Sequence, residues 1–379
     1  MRVLTLTPFY PNALDDAVGC FVSDPLRVLE EHGVVSCVVA TQPVYRGRMH
    51  SHPANPADWV YYAAVPGGMG LSFAGVFLYA GSIAKMRRLH RMQPFDVIHA
   101  HAALPCGHAG VLLSRELGIP CVVTVHGLDA FFANQVKGPA AKWCQRISQF
   151  VYRSASRVIC ISKKVSECVA GNAGALPNSA VVYNGVDAEV FSPAPGPREN
   201  LTILSVGNLI PIKGHELLLR AFAHIHRDHA NVSCEIIGDG PERPRLINLV
   251  SDLRVASKVR FLGRQNRRQV IEAMRRCTIF ALPSRYEGLG CAYLEAMSTE
   301  KPVIACREQG IAEIIQHGVN GWLVNPEDLS GLTDALSLLL RSAQLRQQTG
   351  AEARRTVRRN FTLKHQARQL AQLYRECVA

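Results

Sequence analysis

Short, unbroken apolar runs rich in valine and isoleucine constrain this chain more than any other feature. In the first half they fall at Val3–Thr7, Val34–Ala40, Val97–Ala100, Cys121–Val125, Val158–Ile161 and Ala180–Tyr183. None shows the strict apolar–polar alternation of a strand with one wet face; parallel strands covered on both sides have this pattern instead. Helical stretches such as Ser23–His32 and Ala140–Ser154 lie between them, and strand–helix alternation predicts a doubly wound parallel sheet. The proline-rich stretch Ser192–Pro197 interrupts the series and reads as a linker. The alternation then restarts with Leu201–Val206, Glu216–His226, Ser233–Ile237, Arg243–Leu253, Val259–Leu262, Ile279–Leu282 and Val303–Ala305. A length of 379 residues suits two domains at roughly 100–200 residues each. The expected fold is therefore α/β, with two doubly wound Rossmann-like domains, residues 1–188 and 189–363, facing a cleft lined by the carboxyl ends of both sheets. A last helical segment, Lys364–Cys377, follows the second series.

Composition narrows the function classes. Hydrophobic residues make up 48% and charged residues 19%, which excludes wholesale disorder. The twelve cysteines are scattered, none forms a C-x-x-C pair, and several sit inside apolar runs, as Cys121, Cys160, Cys234 and Cys306 do. That usage fits free thiols in a reducing cytosol rather than a disulfide framework. After Met1-Arg2 comes only a short apolar run before Pro8, Pro11, Asp15 and Asp16, so no secretory leader is expected. The longest apolar candidate, Leu71–Ala84, is interrupted by Ser72, Gly75, Gly81 and Ser82 and is too short to span a bilayer. A net charge of +12 favours an anionic partner: nucleic acid, an acidic membrane surface or a phosphorylated substrate.

The chemistry should sit on loops that follow strands, and two such loops stand out. The run Pro283–Met297 leaves a strand at Leu282, passes through Glu287, Gly288 and Leu289, and enters a helix near Gly290. Glycines let backbone N–H groups approach an anion, and the helix N-terminus adds unpaired donors. Glu287 and Glu295 are eight residues apart; eight helical residues rise ~12 Å, which disfavours an opposed acid–base pair on one helix. Glu287 in the loop and Glu295 in the helix are better placed to hold hydroxyls of two different sugar rings, the alternative being a capped helix with solvated glutamates. The second loop, Val206–Glu216, carries Gly207, Asn208 and Lys213-Gly214 just before a helix. It is not a Walker A loop, but Lys213 can sit beside a phosphate on the same sheet edge as Glu287.

Together these motifs resemble the retaining family-4 glycosyltransferases of GT-B fold. The likeness extends over nearly the whole chain through Asp96–His101, Thr124–Asp129, Tyr183–Asp187 and Gly318–Val324. The resemblance implies that the closing helix, residues 364–379, returns to the first domain. It also implies a nucleotide-sugar donor on the second domain, no cofactor and no metal. Glu295 would hold the ribose hydroxyls, while Lys213 and the amides of Gly288, Leu289, Gly290 and Cys291 would hold the diphosphate and the transferred sugar. Glu287 and His126 would act at the reaction centre, His126 reaching the sugar from the other wall. Gly207, Asn208, Gly19 and Arg264 would complete the donor site, with His99, His101, Asp129 and Asn184 on the acceptor side. Three positions depart from the family pattern: Asn208 replaces a usual arginine, Val18 a glycine before Gly19, and Thr299–Pro302 lacks a glycine. Arg264 or Arg285 is then the candidate to supply the missing charge.

The resulting expectation is a glycosyltransferase that moves a sugar from a UDP-sugar, or from GDP-mannose, to a hydroxyl on a lipid-linked or polysaccharide precursor glycan. Alternatives remain open on the residues alone. A nucleotide-sugar epimerase of the same fold needs no acceptor. A nucleic-acid binder would use the basic stretches Arg264–Arg276 and Arg341–Arg359, which look more like solvated helix faces. A dinucleotide-dependent dehydrogenase lacks its glycine fingerprint after either first strand. His99 and His101, two apart on a strand with His108 and His126 nearby in the chain, fit either a metal site or a satisfied core. Leu71–Met92 runs from Phe73 and Phe77 into Lys85, Arg87, Arg88 and Arg91. It fits either peripheral contact with an anionic membrane at its cytoplasmic face or simple packing on the sheet.

Overall fold

The computed structural model describes residues 1–66, 70–127, 139–194 and 201–379. They form two compact units, one of residues 1–184 with 363–379 and one of residues 185–362. Part of the proline-rich linker, residues 195–197, lies outside the described residues.

The first unit is built on seven parallel strands: β1 (Arg2–Thr7), β2 (Val35–Pro43), β3 (Asp58–Tyr62), β4 (Val97–His101), β5 (Cys121–Val125), β6 (Arg157–Cys160) and β7 (Ser179–Val181). Their order is β3-β2-β1-β4-β5-β6-β7. The second unit has six: β8 (Leu201–Val206), β9 (Val232–Ile237), β10 (Val259–Gly263), β11 (Ile279–Ala281), β12 (Val303–Cys306) and β13 (Trp322–Val324). Their order, β10-β9-β8-β11-β12-β13, repeats the same doubly wound plan. In each sheet the order reverses beside the first strand, between β1 and β4 and between β8 and β11. At such a point successive connections leave on opposite faces and open a crevice at the carboxyl edge. Of the candidate residues, Gly19, Lys213 and Glu287 lie on the segments after β1, β8 and β11, and His101 ends β4.

Interior strand residues are covered on both faces, which is why their runs are continuously apolar. Val3, Val97, Val122 and Ile159 share one core with Leu363, Leu370 and Tyr374. The last three lie on the closing helix Leu363–Val378, which packs beside the helix Cys20–Glu30. The closing helix therefore belongs to the first unit. Each large apolar side chain it buries contributes ~1.5–3 kcal/mol, enough in sum to fix it there. In the second unit Ile203, Ile236, Ile279 and Ile304 meet Leu218 and Phe222 of the helix His215–Ile225 and Leu336 of the helix Leu329–Arg341.

Two strands go beyond the sequence expectation. β3 is a half-exposed edge strand, Asp-Trp-Val-Tyr-Tyr, without a continuous buried run, and β13, Trp-Leu-Val, is buried but only three residues long. The segment Leu71–Met92 forms one 22-residue helix whose Ala74, Leu78 and Met86 are buried. Phe73, Val76 and Phe77 remain 53%, 43% and 49% exposed. Lys85 and Arg87 bond to Asp58 and Glu116 within the unit, leaving Arg88 and Arg91 as the exposed basic groups of this helix that make no ion pair among the described residues. No described helix is long and apolar enough to cross a membrane.

Candidate functional site

In the second unit, contact between the loops after β8 and β11 creates the site. After Asn208 the chain makes a single 3₁₀ turn, Pro211–Lys213, and reaches Gly214 at φ +71°. A Cβ on Gly214 would lie 2.1 Å from the Pro283 carbonyl oxygen, so glycine is required on both conformational and steric grounds. The close crossing is pinned by the Arg285 amide donating to Ile212 O at 2.8 Å. It delivers the Lys213 ammonium to Glu287, Nζ to Oε1 at 2.6 Å. The Ser284 hydroxyl donates to the same oxygen at 3.0 Å. Both donors use Oε1, and no described residue bonds Oε2. The pair is largely shielded, with side-chain exposures of 17% for Lys213 and 9% for Glu287, so the carboxylate holds the ammonium in place while neutralising much of its buried charge.

The backbone around Glu287 is equally constrained. Gln309, on the loop after β12, accepts from the Glu287 amide at 2.9 Å and donates from Nε2 to Arg285 O at 2.8 Å. Gly310 N donates to Glu287 O at 3.1 Å, and a Cβ on Gly310 would meet Gly288 O at 1.8 Å. Gly290, at φ +81°, opens the helix Cys291–Ser298. The N-terminal end of that helix therefore stands at the loop carrying Glu287, where the helix dipole favours an anion. Leu289 is buried, so it can offer a ligand only backbone, while Cys291 and Glu295 are half-buried on the helix. His215, beneath the Lys213 loop, is buried with Nδ1 3.4 Å from Ser205 Oγ, and burial pushes its pKa down to about 4.

Asn208 is exposed at the carboxyl end of β8, beside Gly207, whose amide donates to Ile237 O at 3.0 Å. Arg264 is exposed just after β10, two strands across from β8 in the sheet order. Arg285 directs its guanidinium to Glu327, at 2.8 Å, and to Pro211 O, at 3.1 Å, so its charge is already engaged by a carboxylate.

In the first unit the histidines assemble at the ends of β4 and β5. His99 lies between the Thr124 hydroxyl, 2.7 Å from Nε2, and the Tyr374 hydroxyl, 2.7 Å from Nδ1. His101 Nδ1 lies 2.9 Å from His126 Nε2, and the His99 and His101 ring centroids are 4.2 Å apart. Burial drives the pKa of His99 and of His126 down to about 3, and that of His101 well below its ordinary value. Three neutral rings therefore bond to hydroxyls and to one another; among the described residues no His, Cys, Asp or Glu cluster has a metal-binding arrangement. His108 is not part of this group: it packs against Gly75 and edge-on to Phe150. Asn184 accepts from Gln366 Nε2 at 3.3 Å and lines a small cavity with His99, His101 and His126. Gly19, at φ +69°, has its missing side chain replaced by the backbone of Phe9, 2.4 Å from where a Cβ would stand. Asp129 lies outside the described residues.

Several members of these clusters escape sequence reasoning. Gln309 and Ser284 lie on loops after strands, so position alone could have flagged them. Tyr374 and Gln366 carry no such signal, being 275 and 182 residues from their partners His99 and Asn184.

Comparison with known proteins agrees with this architecture. Residues 188–356 match the family described as Glycosyl transferases group 1, and residues 26–190 match Glycosyltransferase Family 4. An uncharacterized glycosyltransferase of Methanocaldococcus jannaschii is 31% identical over 280 residues, 73% of this chain and 75% of that protein. The N-acetyl-alpha-D-glucosaminyl L-malate synthase of Bacillus anthracis is 28% identical over 293 residues, covering 73% and 74%. Among solved structures, sucrose-phosphate synthase from Thermosynechococcus elongatus superposes with a TM-score of 0.83 at 20% identity, covering 99% of both chains. Anabaena HepE in complex with UDP-glucose gives 0.77 at 20% identity, covering 98% of both. The chain belongs to the family-4 glycosyltransferases of group 1, has their GT-B fold, and is an enzyme that uses nucleotide-sugar donors.

Proposed function

We propose that the protein transfers a hexose-type sugar from a UDP-sugar to a hydroxyl of a precursor glycan, with retention of anomeric configuration. The observation that carries this reading is the shielded Lys213–Glu287 pair beside the helix opening at Gly290. It provides a fixed cation, an anion-binding helix end and a carboxylate oxygen open to a sugar hydroxyl in one place. The diphosphate is held by Lys213 and the amides of Gly288–Cys291, with the ribose on Glu295 and the transferred sugar on Glu287. The bond from the anomeric carbon to the phosphate oxygen breaks with its electron pair left on that oxygen. The acceptor oxygen bonds the same face of the carbon, and its proton passes to the departing phosphate. Charge grows on the diphosphate as this happens, and a cation already in position costs no reorganisation. UDP is preferred to GDP because Anabaena HepE was solved with UDP-glucose; GDP-mannose is the alternative donor.

The acceptor is proposed to be lipid-linked and met at the cytoplasmic face of an anionic membrane. Phe73 and Trp143, on the helices Leu71–Met92 and Pro139–Ser154, bring their rings to 6.2 Å of each other while staying 53% and 43% exposed. Arg88, Arg91, Lys142 and Arg146 are exposed on the same two helices, the combination of apolar and basic groups that an acidic bilayer surface accommodates. A panel of UDP- and GDP-sugars tests the donor reading. One UDP-sugar should raise the melting temperature and be slowly hydrolysed; stabilisation by GDP-mannose alone would overturn it. Conversion of that donor to an epimer without acceptor would replace transfer by epimerisation.

A further inference from the structure

The first unit carries free charge one loop away from its histidines. Neighbouring parallel strands are joined by a crossover that usually includes a helix, but residues 44–57, between β2 and β3, hold only the 3₁₀ turn Val44–Arg46. β3 pairs with Val39–Pro43, the last five residues of β2, so the chain has only ~13 Å of strand to descend before β3 begins. Residues 44–57 would reach ~46 Å if extended, and the surplus stays at the carboxyl edge. There it meets the loop after β1: the Ala13 amide donates to His50 O at 3.0 Å, and Asn12 bridges to Ser51. β1 is the strand between β2 and β4, which puts the segment two strand spacings, ~10 Å, from the end of β4 where His101 stands.

Residues 44–57 contain Arg46, Arg48, His50 and His52 and no aspartate or glutamate. Asp58, which follows, bonds to Lys85, and Asp15, on the loop after β1, accepts from the amides of Ala17 and Val18. Arg46 and Arg48 are exposed, and neither side chain makes an ion pair or hydrogen bond among the described residues. Their backbone, by contrast, is held. Gln42, buried near the end of β2, donates from Nε2 to Gly47 O at 3.0 Å. The Tyr61 hydroxyl accepts from the Met49 amide at 2.8 Å and donates to Met49 O at 3.1 Å. Gly47, between the two arginines, sits at φ +83°, a bend that other residues rarely adopt. A backbone fixed beforehand lowers the ordering cost of binding, and each guanidinium can offer paired N–H donors to a phosphate or a carboxylate.

We propose that Arg46 and Arg48 form an anion subsite for the acceptor, which therefore carries a phosphate ester or a carboxylate close to the hydroxyl that receives the sugar. The neutral histidines orient that hydroxyl, and the arginines hold the charge beside it. The inference rests on the reading of the first unit as the acceptor side, and the experiment keeps the two apart. Glucose 6-phosphate, galacturonate and glucose are each titrated by calorimetry into the whole chain saturated with UDP, so that the phosphate site at Lys213 is already filled. An anionic probe should bind and glucose should not; the stronger of the two anions tells a phosphate ester from a carboxylate. The double variant Arg46→Gln, Arg48→Gln should weaken that binding by about 10-fold or more, the scale of lost hydrogen bonds between charged groups. UDP affinity and melting temperature should stay as they are, because both side chains are exposed. No binding of either anion, equal binding of glucose, or equal binding by the variant would overturn the proposal. Val44 and Tyr45, beside the arginines, are 61% and 46% exposed, which makes an acidic bilayer the rival partner. A variant that loses flotation with phosphatidylglycerol vesicles but keeps its anion affinity would decide for the bilayer and against the subsite. Donor turnover judges the acceptor reading separately. A bound probe should change hydrolysis of the UDP-sugar by the wild type, either by displacing water or by accepting the sugar. Unchanged hydrolysis despite binding would leave the anion subsite standing and contradict its assignment to the acceptor.

Discussion

The two units share one strand plan but place different chemistry at the reversal of strand order. The second unit puts charge there: Lys213 and Glu287 at 2.6 Å, held by a glycine crossing and a glutamine clamp. The first unit puts neutral hydrogen-bonding groups there, three histidines with pKa values driven down by burial. Their surfaces differ as well. Among the described residues the exposed phenylalanines and the exposed tryptophan, Phe73, Phe77 and Trp143, all lie on the first unit. A doubly wound sheet thus fixes where a site forms and leaves its chemistry to the loops. The charged edge suits a diphosphate, while the neutral edge suits hydroxyl groups that must be oriented rather than neutralised.

The largest effect should come from the charged edge. Lys213→Ala should lower kcat by ~10²–10³, the cost of deleting one preorganised charge-stabilising group. The fold should survive, because Gly214 rather than the lysine side chain determines how the two loops cross. Glu287 would then lack its cationic partner, so steady-state kinetics at saturating donor should be paired with a melting curve. A near wild-type rate would remove the distinction between a charged and a neutral edge.

Much of this was legible in the sequence where a residue's role depends on its own strand. Cys121–Val125 and Leu201–Val206 are strands at the residues where their apolar runs begin and end. Lys213, Glu287 and His126 could be singled out because each follows such a strand. Partnerships across the chain were not legible. The contact between Lys213 and Glu287 spans 74 residues and exists because Gly214 lets the Pro283 carbonyl pass close by. Tyr374 bonds His99 only because the closing helix returns to the first unit. Lys85 and Arg87 read as free cations in sequence, yet β3 and the helix His108–Leu117 bring Asp58 and Glu116 to meet them. Edge strand β3 lacks the two-sided burial that makes a strand readable, and β13, though buried, has only three residues.

The second effect concerns acid. His99 and His126 have pKa values of about 3 in the folded protein against 6.5 in an open chain. The unfolded state therefore binds more protons below pH 6.5, so stability is full above that value and is lost progressively as pH falls toward 3. In the first unit His101 and His108 are depressed as well, whereas His215, at about 4, is the depressed histidine of the second unit among the described residues. Hydrogen exchange at pH 7 and pH 4.5 should show protection falling further in strands β4 and β5 than in β8 and β11. Equal losses would mean that the histidines do not distinguish the units.

The smallest effect should be at the surface. Replacing Arg88, Arg91, Lys142 and Arg146 with glutamine should reduce flotation with acidic vesicles, at ~1 kcal/mol for each charge near the bilayer, and raised salt should have the same sense. Donor hydrolysis should be unchanged, since those residues lie on helices remote in sequence from the Lys213 and Glu287 loops. Equal flotation of variant and wild type would reject these helices as the membrane contact.

Titration of free UDP tests the account of the charged edge most directly. UDP contains the ribose and the diphosphate but no transferred sugar. Glu295→Gln should weaken its binding by about 10–100-fold, the worth of a hydrogen bond to a charged group at ~1.5–3 kcal/mol. Glu287→Gln should leave UDP affinity unchanged or stronger, because the carboxylate that now competes for Lys213 would be gone, while the transfer rate falls. If Glu287→Gln loses as much UDP affinity as Glu295→Gln, the assignment of ribose to one carboxylate and sugar to the other is contradicted.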